Sequence, residues 1–361
     1  MTILAITTWC LNPSNRAVVH GLIRGDLIKT PQLKEVLLAI TGQKHNNFGG
    51  SLVSKALEIA PGVVRIPLGI VNCYAVECGR YWVLVDTGTE GRADQICEVA
   101  ERFFGRDRAP EAILLTHGHP DHAGSAAELA DLWDVPIYAH RLELPYITGE
   151  SQYPPPDPTV GGFMSLMIRF FPHKTYDLGG RVRELSDRLP AMRGWELIET
   201  PGHTPGHVCF FRTKDRVLLA GDALSTINQD SAVDMLRHKA QICRPPAFYT
   251  IDWESAEQSV KELADLQPRV VAAGHGIPIS GRAATEQLQE LAANFPVPAD
   301  GRYVREPARA DEHGITYLPE PVADPLPKVA AGIGVAVIGT LAAWLTFRKR
   351  RPGGNSFRDA A

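Results

Sequence analysis

The sequence is poor in the features that mark several protein classes. Its 37 Lys and Arg stand against 41 Asp and Glu, a net charge of −4. It therefore lacks the basic excess of a chain built to coat nucleic acid. Only six cysteines occur (Cys10, Cys73, Cys78, Cys97, Cys209, Cys243), none in a CxxC pair. That excludes a disulfide scaffold and agrees with a reducing compartment. The opening MTILAITTWCLNPSNR has no basic lead and no small-residue cleavage site, so no secretory signal is expected there. A hydrophobic content of 44% over 361 residues excludes disorder as the main state and allows one large domain or two small ones. Plentiful glycine (32) and proline (28) predict many short loops.

The two ends differ. Residues 1–50 show no strand or helix pattern before Gln32–Ile40 and read as an N-terminal extension of unclear structure. Near the other end, Val329–Phe347 runs nineteen residues without a charge. As a helix it spans about 28 Å, close to the roughly 30 Å of bilayer hydrocarbon. Arg348, Lys349, Arg350 and Arg351 follow at once, with Trp344 near that interface. A single transmembrane helix over 328–347 is expected, with a Pro-rich linker (298–327) before it and a basic tail (348–361) after it. The lipid bilayer is then a partner through residues 329–347, and the small-residue step Gly332 to Ala336 leaves a homo-oligomer open. The basic cluster favours a cytoplasmic C-terminus, whereas the missing signal favours a cytoplasmic catalytic domain. The expected location is the cell membrane, with a single-pass C-terminal anchor and the catalytic domain on the cytoplasmic side.

Between the ends, residues 51–297 read as the catalytic domain. Short apolar strands are predicted at Val63–Pro67, Cys73–Glu77 and Tyr81–Asp86, with Gly79-Arg80 as a hairpin turn. Helical spacing follows over Asp94–Phe104 and Asp121–Asp134, with strands at Glu111–Leu115 and Pro136–Ala139. Tyr153 to Pro158 is a stiff proline loop, and the apolar run Phe163–Phe171 after it reads either as core or as a lid over a pocket. A second set follows. Its strands are Val182–Leu185, Trp195–Glu199, Val208–Arg212, Arg216–Ala220 and Val270–Ala273, and its helices Trp253–Leu266 and Ala283–Asn294. Each half contains a buried strand running into an aspartate, VLVD ending at Asp86 and VLLAGD ending at Asp222. The pattern predicts an α/β fold of two sheets between helices, four layers deep.

The densest chemistry lies in Thr116-His-Gly-His-Pro-Asp-His122. Three imidazoles and a carboxylate fall within six residues at a strand-to-helix turn, a donor set suited to zinc, iron or manganese. Other candidate donors are His203 and His207 in PGHTPGH, Asp222 in GD and His275 in GHG, each at the end of an apolar strand.

These motifs, HxHxDH at 117–122, GHTPGH at 202–207, GD at 221–222 and GHG at 274–276, stand in the order of the metallo-β-lactamase-fold superfamily. The chain resembles its glyoxalase-II-like metallo-hydrolase group over roughly residues 56–296. The resemblance implies a four-layer αββα sandwich with a dinuclear metal site. It implies that His117, His119 and His203 hold the first metal, that Asp121, His122 and His275 hold the second, and that Asp222 bridges both. It casts Asp86 as a residue that orients ligands from behind, and leaves His207 a structural histidine. The cofactor expected is two divalent metal ions, most simply zinc, with manganese or iron as alternatives.

Departures narrow the reading. The common zinc β-lactamases carry a cysteine where this chain has Asp222, and neither a flavodoxin-like domain nor an RNA-processing domain is found. The expected activity is cleavage of an ester, thioester or lactone carbonyl in a small molecule by metal-bound hydroxide. Asp121 would carry a proton to the leaving group, and Tyr249 is the candidate donor to the carbonyl oxygen. The alternative is an oxidoreductase resembling the mononuclear-iron persulfide dioxygenases. The run after Gly221-Asp222, Ala-Leu-Ser-Thr, lacks the arginine expected in that family.

Overall fold

A computed structural model describes residues 56–324, apart from Asp107 and residues 171–176 and 187–188. The extension at 1–50, the transmembrane segment expected at 328–347 and the basic tail at 348–361 lie outside the described residues. Among the described residues no helix is long and apolar enough to cross a membrane.

Two sheets carry the fold. The first has seven strands in chain order: β1 (Leu57–Ala60), β2 (Val63–Leu68), β3 (Val71–Cys78), β4 (Tyr81–Val85), β5 (Ile113–Leu114), β6 (Ile137–Ala139) and β7 (Val182–Glu184). Pairing is antiparallel from β1 to β4 and parallel from β4 to β7. Between β4 and β6 come the helices α1 (Ala93–Phe104), α2 (Pro120–Ala123) and α3 (Ala126–Trp133), and α4 (Leu144–Ile147) and α5 (Phe163–Met167) precede β7. The second sheet is built from β8 (Trp195–Glu199), β9 (Val208–Arg212), β10 (Val217–Gly221), β13 (Val270–Ala273) and β14 (Ile279–Ser280), in the order β14-β13-β10-β9-β8. Between β10 and β13 lie the pair β11 (Ser225–Ile227) and β12 (Ala240–Cys243), with α6 (Ala232–Arg237) between them, and then α7 (Trp253–Asp265). After β14 comes α8 (Arg282–Ala293).

Side-chain alternation explains the layers. In β4, Trp82 and Leu84 point to the cluster that contains Ile96, Val99 and Leu129 of α1 and α3. Val83 and Val85 point the other way, into a cluster shared with Val208, Phe210, Val217 and Leu219 of the second sheet. In β10, Leu218 and Ala220 meet Val260, Leu263 and Leu288 of α7 and α8. Both sheets are buried on two faces, which is why their strands read as continuous apolar runs. Trp82 stacks on Phe104 at 4.6 Å and meets the edge of Trp133 at 5.7 Å. Truncating it to alanine would cost about 3–5 kcal/mol. The result is the expected αββα sandwich.

Three expectations change. The helix expected over Asp121–Asp134 breaks at Gly124-Ser125, because the Gly124 N–H bonds to the Gly88 carbonyl (2.9 Å) and the Ser125 N–H to Thr87 Oγ1 (3.2 Å). The apolar run from Phe163 is core rather than lid: Met164 and Met167 are buried against Phe248 and Trp253. The stretch 298–327, read as linker, is folded in its first part. It forms α9 (Arg302–Arg305) and the hairpin β15 (Arg309–Asp311) and β16 (Gly314–Tyr317). Tyr303 donates to the Pro155 carbonyl (2.7 Å) and the Ala308 N–H to the Ile251 carbonyl (3.1 Å). Buried Tyr303 and Ala308 pack on Ile251, so this strap has an apolar anchor that its flanking prolines conceal.

Candidate metal centre

Every candidate donor stands just beyond a strand. His117, His119, Asp121 and His122 follow β5 and open α2, His203 lies in the turn between β8 and β9, Asp222 follows β10, and His275 follows β13. Asp86, at the end of β4, has a left-handed backbone (φ 59°), an uncommon and costly conformation for a non-glycine residue. That turn aims its buried carboxylate at the donors: it accepts from the Thr116 N–H (2.8 Å), from Thr116 Oγ1 (2.9 Å) and from His122 Nδ1 (2.9 Å). Two glycines make room. Gly221 has φ +48°. A Cβ on Gly274 would sit 2.4 Å from Asp222 Oδ1 and 2.5 Å from His122 Cε1.

The structure brings all seven candidates together. His117, His119 and His203 form one group whose donor atoms lie within 4.8 Å of one another; His117, His122 and Asp222 form a second, and Asp121, His122 and His275 a third. His119 Nδ1 lies 3.1 Å from His203 Nε2. Asp222 Oδ2 lies 3.2 Å from His275 Nε2, 3.5 Å from His122 Nε2 and 3.7 Å from His203 Nε2, so its carboxylate stands between the outer groups. Asp121 is the most open member, 28% exposed and 3.4 Å from His275 Nε2.

Among the described residues seven buried side-chain atoms have no hydrogen-bond partner, and three of them lie here: His117 Nε2, His122 Nε2 and Asp222 Oδ1. Leaving such atoms unpaired costs about 1–3 kcal/mol each, and all three are metal-donor atoms at the meeting point of the groups. The donor chemistry therefore fits two metal ions. The opposite ring nitrogens are occupied, as metal-binding imidazoles require. His275 Nδ1 donates to the Ile70 carbonyl (3.0 Å), and His117 Nδ1 lies 3.1 Å from Thr116 Oγ1.

Electrostatics separate the histidines. Burial and crowding by other imidazoles hold His117 and His203 well below the usual histidine range, and burial pushes His119 down to about 4. Burial acts the same way on His122 and His275, but carboxylates outweigh it. Asp222 and Asp86 raise His122 well above its ordinary value, and Asp222 and Asp121 push His275 up to about 10. In turn His275 and His122 overcome burial and hold Asp121 and Asp222 below the carboxylate range.

Tyr249 also reaches the centre, its ring 4.4 Å from that of His119. His207 plays a different part. Its Nε2 accepts the Asp222 backbone N–H (2.9 Å) and its Nδ1 lies 2.7 Å from Thr200 Oγ1, so both ring nitrogens are used in holding the Asp222 loop. The sequence reading missed Glu143 and Tyr153. Glu143 is fully buried and its carboxylate touches two of the donor loops. The Tyr153 ring lies 4.7 Å from His119 and stacks on Tyr146 at 4.2 Å.

Comparison with known proteins identifies the family. The family model for the metallo-beta-lactamase superfamily matches residues 66–275. The probable metallo-hydrolase YflN of Bacillus subtilis is 39% identical over 241 residues, 65% of this chain and 91% of that protein. The hydroxyacylglutathione hydrolase GloC of Haemophilus influenzae is 26% identical over 160 residues, 43% of this chain and 69% of that protein. Among solved structures, the metallo-beta-lactamase family protein TTHA1429 of Thermus thermophilus aligns with a TM-score of 0.42 at 25% identity, covering 66% of this chain and 80% of that one. The chain belongs to the metallo-beta-lactamase superfamily, as a metal-dependent hydrolase.

Proposed function

We propose that this protein hydrolyses an ester, thioester or lactone at a dinuclear centre, most simply of zinc. The observation that carries the reading is the set of overlapping donor groups with buried, unpartnered atoms where they meet. His117, His119 and His203 would hold one ion, Asp121, His122 and His275 the other, with Asp222 between them. When bound, two such ions supply an activated water at neutral pH and polarise a carbonyl. The chain supplies the rest. Asp86 and the Ile70 carbonyl fix His122 and His275 from behind. Asp121 is the donor residue with solvent access, placed to pass a proton to the leaving group. Tyr249, whose ring lies beside that of His119, is the candidate donor to the substrate oxygen. Ile70 and Ile277, which flank His275, are 38% and 41% exposed and support an acyl group with apolar character. Hydroxyacylglutathione, the substrate class in GloC's name, is one thioester to test.

The apolar run Val329–Phe347 supports a C-terminal membrane anchor, with the catalytic domain on the cytoplasmic side. Membrane fractionation with protease protection tests that part independently.

The first experiment is metal content per chain in the full-length protein, purified in detergent without added metal, followed by a screen of esters, thioesters and lactones. Two ions per chain with turnover of one class is the expected result. A single iron with oxygen consumption in the presence of persulfide would overturn it. Within the screen, Tyr249→Phe is expected to lower kcat about tenfold or more, the scale of one lost donor to a developing oxyanion. Asp121→Asn is expected to lose most activity, and full activity in either variant would remove that residue's role.

A further inference from the structure

Glu143 belongs to none of the three donor groups, yet its carboxylate joins the two loops that carry the first of them. Oε2 accepts the Gly118 N–H (2.9 Å) and the Tyr153 hydroxyl, while Oε1 accepts the Thr204 hydroxyl (2.7 Å) and the Gly206 N–H (2.8 Å). Gly118 separates His117 from His119, and Thr204 follows His203. We propose that Glu143 is a positioning residue for the His117, His119 and His203 group, with Tyr153 as its latch. This rests on the dinuclear reading above.

The local structure argues that the side chain is committed to this task. Glu143 occupies the N-cap position of α4, where short side chains such as aspartate or serine bond the helix's own free N–H groups. Here it makes no such bond. Its side chain is instead fully buried and spends both oxygens on residues 10 to 63 positions away. All four partners are donors, two of them backbone N–H groups that cannot accept. A carboxylate can satisfy all four. An amide cannot: whichever way glutamine turns, its NH2 faces a backbone N–H of Gly118 or Gly206.

The consequence is selective. Fixing the Gly118 peptide fixes the relative placement of the imidazoles on either side of it, and fixing Thr204 and Gly206 sets the turn that presents His203. The other group is held by different residues, Asp86 behind His122 and the Ile70 carbonyl behind His275. Glu143 therefore touches the loops of the first group, while Asp86 meets His122 directly and His117 only through Thr116.

The test is a zinc titration of the metal-free, full-length protein in competition with a chromophoric chelator, read as two binding steps. His275→Gln, which removes a donor found only in the second outer group, identifies the step that belongs to that group. E143Q is expected to weaken the other step by about 10–100-fold, the usual cost of losing a residue that supports a metal ligand. It should leave the His275-dependent step within about threefold, and Y153F should weaken the step that E143Q weakens, by a smaller factor. Cobalt absorption should change in that step alone. Wild-type affinities in E143Q would overturn the proposal. Equal weakening of both steps would also overturn it, by showing a general brace of the fold. Should E143Q fail to fold, Thr204→Val and Y153F pose the same question with the same two outcomes. A wild-type chain that holds only one zinc would overturn the dinuclear reading, and E143Q then decides the proposal on that single step.

Discussion

The two outer donor groups share one site but are prepared for metal in opposite ways. His117, His119 and His203 have no carboxylate among them, and burial keeps their rings neutral. Their lone pairs are ready before an ion arrives. His122 and His275 stand among Asp86, Asp121 and Asp222, which raise both imidazoles. There an ion must take the place of protons that the carboxylates favour. The same residue type is thus made a neutral ligand by burial among other imidazoles, or a protonated group by burial beside aspartate. Affinity on the second side is linked to proton release, as metal binding by protonated ligands must be.

Asp222 is the residue that reaches both sides, so it gives the largest expected effect. Asp222→Ala should lower kcat/KM by on the order of 1000-fold, equivalent to several kcal/mol of transition-state stabilisation, and should reduce metal content in both groups. Steady-state kinetics with metal analysis on one preparation checks this. A loss confined to one ion would break the view of Asp222 as shared.

Asp86→Asn should act mainly on the His122 side, because Asp86 meets His122 directly and His117 only through Thr116. Losing the carboxylate behind His122 is expected to weaken one of two zinc-binding steps by about 10–100-fold, measured by chelator competition. If both steps weaken together, the two groups are not separable.

The smallest effect is the pH dependence of the chelator-treated protein. Its sign differs between the groups. His119 at about 4 and His207 at about 3 lie below the ordinary histidine value of 6.5, so their contribution to stability is present above pH 6.5 and lost as pH falls towards those values. His275 at about 10 lies above 6.5, so its contribution is present below pH 6.5 and lost as pH rises through 10. These histidines together place the stability maximum of the metal-free protein near pH 6.5, with limbs of about 1.4 kcal/mol per pH unit for each histidine involved. Urea unfolding from pH 5 to 9 measures the curve. His275→Gln should make the alkaline limb shallower by about 1.4 kcal/mol per pH unit, leaving the share of His122, and should leave the acid limb. A variant that flattens neither limb would contradict the assignment.

The layers and the donor-type residues were legible from local pattern, whereas the set of seven without His207 came from the family resemblance. VLVD before Asp86 and VLLAGD before Asp222 each announce a buried strand that ends in a carboxylate, and HxHxDH packs its donors into six residues. Glu143 and Tyr153 were not legible. Nothing periodic marks them in LELPYITGESQYPPP, and their role comes from contacts with Gly118, Thr204 and Gly206 that only the tertiary fold creates. The strap after Gly301 was hidden for a related reason. Its prolines read as linker, while its anchoring contacts are to Pro155 and Ile251, far away in sequence. The break at Gly124-Ser125 was missed because the competing acceptors, Gly88 and Thr87, belong to the loop after β4.

The order of the donors along the chain also sets an order in time. His275 reaches back 205 residues to the Ile70 carbonyl, whereas His117, His119 and His203 have all been synthesised by the end of the GHTPGH turn. At about 5–20 residues per second, the roughly 70 residues that separate His207 from His275 take several seconds to translate. A nascent chain in that interval carries every residue of the neutral group and lacks one residue of the charged group. The neutral group is therefore complete in sequence before the charged group, whose last donor comes only after β13.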